Sequence, residues 1–297
     1  MATTQQWVAA TRPRTLPAAI APVVVGWAAA WTDRGATTPS TLIALLAMIV
    51  ALALQVGVNF SNDYSDGIRG TDAVRVGPVR LVGQGLASPE QVRAAAFGAF
   101  GVAAVAGLIV VLAVGQPHLL VIGALAIVSA WFYTGGAKPY GYLGLGEVFV
   151  FVWFGLVAVQ GTVTVLLGAS TGLGWLYGVG AGALSCALLV ANNLRDVPTD
   201  IAAGKHTLAV RLGAANTRWL YVALVWVGLL TPFVAIATGG TRWLALAIVA
   251  AASAHRPGWA VIRGASGRDL IPVLVGTGRT LLVWAAAIAV ASIIGTR

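Results

Sequence analysis

Charged side chains are scarce in this sequence, and their scarcity excludes a soluble globular protein. Only 9% of the 297 residues are charged and 59% are hydrophobic, whereas soluble domains carry about a quarter charged residues. The mean hydropathy is +0.88. Long apolar runs recur along the whole chain, and most of them are near the length that a helix needs to cross a bilayer. The composition therefore predicts an all-α integral membrane protein with several spans in the lipid bilayer.

Cysteine is almost absent, and the basic residues are not concentrated in one patch. A single cysteine, Cys186, excludes an internal disulfide framework and a four-cysteine metal site. The net charge of +9 is dispersed among hydrophobic runs. That distribution fits membrane topology and anionic partners better than nucleic acid, so we expect no nucleic-acid partner.

The apolar runs predict nine transmembrane helices in one domain that covers residues 1–297. The predicted spans are 16–32, 41–59, 94–114, 119–133, 148–167, 173–191, 219–238, a span that starts at 243, and 270–294. The eighth span meets His255-Arg256-Pro257 early, which obscures its end.

The basic residues indicate the orientation of these spans. With a cytoplasmic N-terminus, fourteen of the 18 Lys and Arg residues fall in cytoplasmic segments and one, Arg279, falls within the last span. Only Arg34, Arg242 and Arg297 then lie outside. Because cytoplasmic loops carry the excess of positive charge, we predict a cell-membrane protein with its N-terminus in the cytoplasm and its C-terminus outside.

The few carboxylates gather in two asparagine-led segments, each directly after an even-numbered span. Of the nine acidic residues, three lie in segment 59–72 and two in segment 192–200. Carboxylates at a bilayer boundary are costly and usually functional. Four spans separate the two segments, which suggests a parallel internal repeat and one site shared by both halves.

The spacing within both segments suits a divalent cation. If each helix continues past the membrane boundary, three side chains share one face in each segment: Asn59, Asp63 and Asp66 in the first, and Asn192, Asp196 and Asp200 in the second. Pro198 predicts a kink or an early helix end there. Mg²⁺ binds through a few carboxylates plus substrate phosphates. Neighbouring basic residues would hold those phosphates, namely Arg69, Arg80, Arg195 and Lys205.

Other interpretations of these charges stay open. The aspartates could simply pair with neighbouring arginines in a solvated loop. A transporter also carries parallel repeats and buried charges, although these acids lie at one membrane face and not at the midplane. A phospholipid-type transferase could use a similar carboxylate–metal site. Glu147, at the entry of the fifth span, is either catalytic or a snorkelling residue that pairs with Lys138.

The two acidic motifs resemble those of the UbiA superfamily of intramembrane prenyltransferases. The likeness rests on Asn62-Asp63-Tyr64-Ser65-Asp66 with Asp72, and on Asp196-Val197-Pro198-Thr199-Asp200, and it extends over essentially the whole chain. Stretches 12–17, 77–85 and 133–140 are similar to the menaquinone-pathway branch of that superfamily. Two features depart from the usual superfamily pattern: the wider spacing between Asp66 and Asp72, and Pro198.

The resemblance implies a fold and a reaction. The fold would be a nine-helix UbiA-type bundle with a central cavity, a lateral opening to the bilayer and a cytoplasmic polar cap. The reaction would transfer a polyprenyl group from polyprenyl diphosphate to 1,4-dihydroxy-2-naphthoate, with loss of carbon dioxide and diphosphate, to give a demethylmenaquinol. 4-Hydroxybenzoate is the alternative acceptor. The donor's chain length and the oligomeric state are left undetermined.

The resemblance and the spacing together assign roles to individual residues. The cofactor would be Mg²⁺, held by the asparagines and aspartates of both motifs: Asn62, Asp63, Asp66, Asp72, Asn192, Asp196 and Asp200. The expected catalytic residues are Asp66, Asp196, Asp200 and Lys138, and the expected diphosphate ligands are Arg69, Arg80, Arg195 and Lys205. The expected contacts of the acceptor and of the allylic cation are Arg14, Lys138, Tyr133 and Tyr140.

Overall fold

The computed structural model describes residues 2–34, 39–70 and 79–296, and within these ranges every regular element is helical. The α-helices are α1 (Thr4–Ala10), α2 (Pro17–Arg34), α3 (Thr41–Ile68), α4 (Pro89–Val114), α5 (His118–Phe132), α6 (Gly146–Val150), α7 (Ala158–Leu167), α8 (Gly172–Ala202), α9 (Leu208–Ala237), α10 (Ile248–Ile262) and α11 (Leu270–Gly295). Short 3-10 helices precede α2, α6, α10 and α11, and a π-helix, Phe151–Val157, joins α6 to α7.

Each of the nine predicted spans coincides with a helix, but not every helix is long enough to be a span on its own. Among the described residues, seven helices are long and apolar enough to cross a bilayer, and the bent pair of α1 and α2 brings the number to eight. Helix α5 is apolar but has only 15 residues. Nine crossings therefore stay a prediction.

The first acidic segment is helical as far as Ile68, and the second is helical throughout. Helix α3 continues past the apolar run to Ile68, and the second segment lies wholly within α8. The early helix end expected at Pro198 does not occur, because α8 continues to Ala202. Proline cannot donate to the carbonyl four residues earlier, and the rest of the helix accommodates that loss. Asn192, Asp196 and Asp200 consequently follow one another turn by turn.

Helix α8 is the centre of the bundle. In the apolar stretch of 18 residues that could cross the membrane, 72% of the helix is buried inside the protein. The helix packs against α2, α9, α11 and the π-helix. Glycines allow the closest approach: a Cβ on Gly155 would lie only 2.6 Å from the carbonyl oxygen of Gly178 and from Cα of Gly182. Small residues are the usual means by which membrane helices pack closely, because lipid tails are as apolar as leucine.

The π-helix in the fifth span was not predicted from the sequence. Its wider turn is an irregularity that recurs at functional sites in helices. Here it places Trp153, Phe154 and Val157 on the wall of the large internal cavity described below. The small glycines of α8 that pack against the π-helix leave room for its wider turn.

Candidate active site

A large cavity of about 1020 Å³ lies mainly between α2, α3, α4, α5, α8 and the span that contains the π-helix. Most of its wall is apolar, and its charged and amide side chains gather where the two acidic segments lie. These side chains include Arg12, Arg14, Asn59, Asn62, Arg80, Asn192 and Arg195. A cationic, amide-rich end joined to an apolar body suits a ligand with an anionic head and a long hydrocarbon tail.

The cavity also reaches the outer surface of the bundle between α4 and α5. Leu108, Leu120 and Ile122 line it, and yet they are 45, 46 and 38% exposed. In a bilayer this outer face contacts lipid. Sideways entry of a hydrocarbon tail at this position, which the resemblance implies, stays a prediction.

Asp66 on α3 is surrounded by proton donors and cations. The Lys205 ammonium lies 2.9 Å from its Oδ1, and the Arg80 guanidinium lies 3.9 Å from its Oδ2. The Tyr142 hydroxyl also donates to Oδ1. The structure thus brings two predicted diphosphate ligands, Arg80 and Lys205, to the predicted metal ligand Asp66.

Asp196 on α8 pairs with its neighbour Arg195. The guanidinium donates from Nε and Nη2 to both carboxylate oxygens at 2.7 Å, and Nη2 also donates to Asn192 Oδ1 at 2.8 Å. Asp196 and Asp200 are buried, whereas Asn192 and Arg195 line the cavity. The second motif therefore presents an amide and a guanidinium to the cavity, with its carboxylates close behind them.

Asp63 is engaged differently from the other aspartates. Its carboxylate accepts from the backbone N–H groups of Leu81 (2.8 Å) and Val82 (3.1 Å), which fixes the segment before α4. Asp63 does not line the cavity. Its role as a metal ligand stays a prediction, because holding this segment already accounts for its burial. Asp72, the predicted metal ligand that follows α3 in the first motif, lies outside the described residues.

The connector between α5 and α6 is tied to the first motif. The Thr134 hydroxyl donates to Asn62 Oδ1 at 2.7 Å. Arg69 donates to the carbonyl of Thr134 at 2.6 Å and to the carbonyl of Gly136. Arg69 therefore positions the connector and does not line the cavity, in contrast to Arg80.

Three aromatic rings form part of the cavity wall next to the connector. Tyr133 meets Tyr140 edge to face at 5.5 Å, and Tyr140 stacks on Phe149 at 3.9 Å. The Tyr140 hydroxyl donates to the carbonyl of Ser129 at 2.8 Å. Burial raises the pKa of Tyr140 in the connector, so this tyrosine is neutral at physiological pH. All three rings line the cavity.

The two predicted acceptor-binding cations differ in position. Arg14 lines the cavity, whereas Lys138 is exposed and lies outside the lining. Glu147 does not pair with Lys138 in the described structure: its Oε1 accepts from Asn193 at 2.9 Å, and the residue is buried. The geometry therefore favours Arg14 over Lys138 as an acceptor contact.

Arg12 is a cavity residue that the sequence analysis missed. Among the described residues it is the one non-glycine position with a positive φ, 53°, and its side chain lines the cavity. The surrounding turn is held by Asn59, whose Nδ2 donates to the Thr11 carbonyl at 2.8 Å and to Thr15 Oγ1 at 3.1 Å. A backbone held in this sparsely populated region points to a functional constraint. Two sequence signals pointed to this position: Arg12 belongs to stretch 12–17, which resembles the menaquinone-pathway branch, and the following proline restricts Arg12 without predicting this conformation.

Tyr142 is the second residue that the sequence analysis missed. Its ring lies 4.5 Å from the Lys205 ammonium and 5.4 Å from the Arg69 guanidinium. Its hydroxyl donates to Asp66, so one side chain contacts three of the predicted site residues. Only its position in the aromatic, glycine-rich connector could have suggested this role.

The donor atoms suit an Mg²⁺ ion that is shared with a substrate. Within the ranges that the structure describes, no three His, Cys, Asp or Glu side chains cluster closely enough to hold a metal ion by themselves. The available ligands are carboxylate and amide oxygens on α3 and α8, which are the hard donors that Mg²⁺ prefers. These residues therefore fit an ion completed by phosphate oxygens and do not fit a closed protein cage.

Comparison with known proteins gives the family. Residues 19–269 match the UbiA prenyltransferase family. The chain is 53% identical over 291 residues to 1,4-dihydroxy-2-naphthoate octaprenyltransferase of Mycobacterium tuberculosis, with 97% of each chain covered. It is 51% identical to the protein of that name from Mycobacterium leprae, with 97% of this chain and 96% of the relative covered. A solved UbiA homolog from Archaeoglobus fulgidus bound to GPP and Mg²⁺ shares the fold, with a TM-score of 0.67 at 11% identity over 95% of this chain and 99% of that one. The family match over most of the chain and these identities show that the chain belongs to the UbiA prenyltransferase family.

Proposed function

We propose that this protein transfers a polyprenyl group from polyprenyl diphosphate to 1,4-dihydroxy-2-naphthoate, a step of menaquinone biosynthesis. The observation that carries the proposal is the large cavity, which joins a cationic, amide-rich end to an apolar body that reaches the lipid-facing surface. Two relatives that cover nearly the full chain bear the name 1,4-dihydroxy-2-naphthoate octaprenyltransferase, which supports this choice of acceptor.

Mg²⁺ is the proposed cofactor. The residues that would hold it are Asn62 and Asp66 of α3 and Asn192, Asp196 and Asp200 of α8, with Asp63 and Asp72 assisting. A bound ion of this kind acts as a Lewis acid that neutralises charge on a leaving diphosphate. A UbiA homolog of the same fold binds Mg²⁺ together with GPP, which supports the proposal.

The chain's own cations would bind the diphosphate. Arg80, Arg195 and Lys205 lie beside the acidic motifs and can donate charge-assisted hydrogen bonds to phosphate oxygens. The allylic C–O bond then breaks, and its electron pair leaves with the diphosphate. Tyr133 and Tyr140 present neutral aromatic faces that stabilise the resulting allylic cation. The apolar wall excludes the water that would otherwise quench it.

The acceptor would bind with its carboxylate towards Arg14 and Arg12, which line the polar end of the cavity. The ring carbon that bears the carboxylate attacks the allylic cation and forms the new C–C bond. The bond to the carboxylate then breaks, carbon dioxide leaves, and the electron pair of that bond restores the aromatic ring. The product is a demethylmenaquinol.

The apolar helices and the family establish a multi-pass membrane protein. We propose that it resides in the cell membrane with its N-terminus and the polar end of the cavity in the cytoplasm and its C-terminus outside. The excess of basic residues in the segments assigned to the cytoplasm supports this orientation.

A coupled assay tests the proposed function. Membranes that contain the protein are supplied with polyprenyl diphosphate, and inorganic diphosphate release is measured with and without 1,4-dihydroxy-2-naphthoate and Mg²⁺. Release should require both additions. Release that needs no aromatic acceptor, or that proceeds equally well with 4-hydroxybenzoate alone, would contradict the assignment.

A further inference from the structure

A smaller cavity of about 290 Å³ lies between α9 and the turn that follows α10. Its lining consists of Ala215, Arg218, Trp219, Ile262, Arg263 and Gly264, none of which lines the large cavity. Helix α9 begins shortly after α8 ends, so this small cavity lies at the same end of the bundle as the two acidic segments. The proposed prenyl transfer makes no use of it.

Arg218 contributes a buried donor without a partner to this small cavity. Its Nη2 donates to the carbonyls of Gly264 (3.3 Å) and Ala265 (3.4 Å), which fixes the guanidinium across the α9–α10 junction. Its Nε is buried and has no hydrogen-bond partner in the described part of the chain. The two backbone contacts therefore hold the guanidinium at the edge of the small cavity.

A second arginine stands at the rim. The Arg263 guanidinium lies 4.7 Å from the ring of Trp259, and the side chain is exposed. Arg256 and Arg268 lie on the neighbouring turns, and Asp269 is the one acidic residue nearby in sequence. The local charge is therefore clearly positive.

The remainder of the rim is apolar and faces outward. Trp219 is 66% exposed and Ile262 is 47% exposed, and tryptophan is enriched where a membrane protein meets the lipid headgroups. Gly264, in the left-handed conformation with φ 92°, has no neighbouring atom within 4 Å of where a Cβ would stand, so the turn itself is open on its outer side. The mouth is therefore accessible from the headgroup region of the bilayer.

We propose that this small cavity binds the phosphate group of an anionic phospholipid. Arg218 and Arg263 donate from their guanidinium groups to the phosphate oxygens, in the charge-assisted geometry that arginine favours. The acyl chains lie on the apolar surface beside Trp219 and Ile262. A zwitterionic headgroup fits less well, because its ammonium group would enter the field of several arginines. Basic pockets between membrane helices are known to select anionic lipids in this way.

The test is a comparison of two lipids with identical acyl chains on the delipidated, full-length protein. Native mass spectrometry gives the affinities for phosphatidylglycerol and phosphatidylcholine, and inorganic phosphate is titrated separately. Each arginine near an anionic headgroup contributes about a fivefold preference, so the wild type should favour phosphatidylglycerol by roughly 25-fold. The double variant Arg218→Gln with Arg263→Gln should bind both lipids almost equally.

Two single variants keep the test decisive. Arg263→Gln removes an exposed side chain, so it should fold normally and lower the preference about fivefold. Arg242→Gln is the matched control: it removes an exposed arginine that stacks 5.7 Å from Trp243 at the opposite end of the same span, and it should keep the full preference. Equal affinity of the wild type for both lipids, or an unchanged preference in Arg263→Gln, would overturn the proposal. Binding of inorganic phosphate as tight as that of phosphatidylglycerol would show that the site takes free phosphate and not a lipid.

Discussion

The ammonium group of Lys205 lies 2.9 Å from Oδ1 of Asp66. This contact joins the loop after α8 to the end of α3, and it links the two acidic segments of the chain. Both side chains are buried, with exposures of 6% and 3%, so bulk salt screens the pair only weakly. The ammonium neutralises the same carboxylate that the proposed Mg²⁺ would contact, and the two cations therefore compete for Asp66.

Replacing Lys205 should make stability depend on Mg²⁺. Removal of one partner from a buried ion pair costs about 3–5 kcal/mol, so Lys205→Gln should unfold at a lower temperature than the wild type. Mg²⁺ should restore more stability to this variant than it adds to the wild type. Thermal unfolding in detergent, with and without Mg²⁺, measures both effects. Lys138→Gln is the control, because that lysine is exposed and its loss should leave unfolding unchanged. If Mg²⁺ stabilises the Lys205 variant no more than it stabilises the wild type, Lys205 and Mg²⁺ do not compete for Asp66.

The aspartates of the two motifs should be needed for turnover beyond their contribution to stability. Asp66→Asn and Asp196→Asn keep the side-chain shape but remove a charge from the proposed ion, so each should lower turnover at least about 100-fold. EDTA should reproduce this loss in the wild type, and added Mg²⁺ should reverse it. Each variant also removes one partner of a buried ion pair and should lose stability as Lys205→Gln does, so turnover is expressed per amount of folded protein in the membrane.

Asp63→Asn separates the metal role from the structural one. Each carboxylate oxygen of Asp63 accepts from one backbone N–H group, whereas asparagine has one acceptor oxygen and would place its NH2 group against the other N–H, so this variant should lose about 1–3 kcal/mol of stability. Near-normal turnover in Asp66→Asn or Asp196→Asn would remove that residue from the proposed site.

Arg14 and Lys138 can be distinguished by substrate kinetics. Arg14 lines the cavity and Lys138 does not, so Arg14→Gln should raise the KM for the acceptor about tenfold or more, since a hydrogen bond to a charged group contributes about 1.5–3 kcal/mol. The KM for the prenyl donor should change little, and Lys138→Gln should leave both values near those of the wild type. The opposite pattern would show that Lys138, and not Arg14, contacts the acceptor.

The orientation can be tested by thiol labelling on either side of α9. Single cysteines at Ala202 and Thr238, both exposed, flank that helix; the native Cys186 is buried and is replaced by alanine in the background. An impermeant thiol reagent applied from outside the cell should label the cysteine at 238 and not the one at 202. Labelling at 202 from that side would invert the proposed topology.

The parts of the account that depend on local sequence were predictable. Apolar runs located the helices. The four-residue spacing of Asn192, Asp196 and Asp200 placed these three side chains on one helix face, because a helix repeats every 3.6 residues. The positions of Arg12 and Tyr142 depend on contacts distant in sequence: the turn at Arg12 is held by Asn59, and the Tyr142 hydroxyl reaches Asp66. No local pattern encodes such contacts.

Two further features illustrate the same limit. The π-helix Phe151–Val157 follows from the close packing of Gly155 against α8, which is a tertiary effect. Lys138 is predicted to contact the acceptor, but the connector turns it outward while Thr134 and Arg69 hold the connector against α3. The direction of such a side chain depends on how the connector is held, and the local sequence does not determine that.

The fate of the acceptor's carboxylate tests the central claim most directly. Purified protein is supplied with Mg²⁺, polyprenyl diphosphate and 1,4-dihydroxy-2-naphthoate that carries an isotopic label in its carboxyl group. The account predicts one labelled carbon dioxide for each prenyl group transferred, because the new C–C bond forms at the ring carbon that loses the carboxylate. A prenylated product that retains the label, or a clear preference for 4-hydroxybenzoate as acceptor, would contradict it.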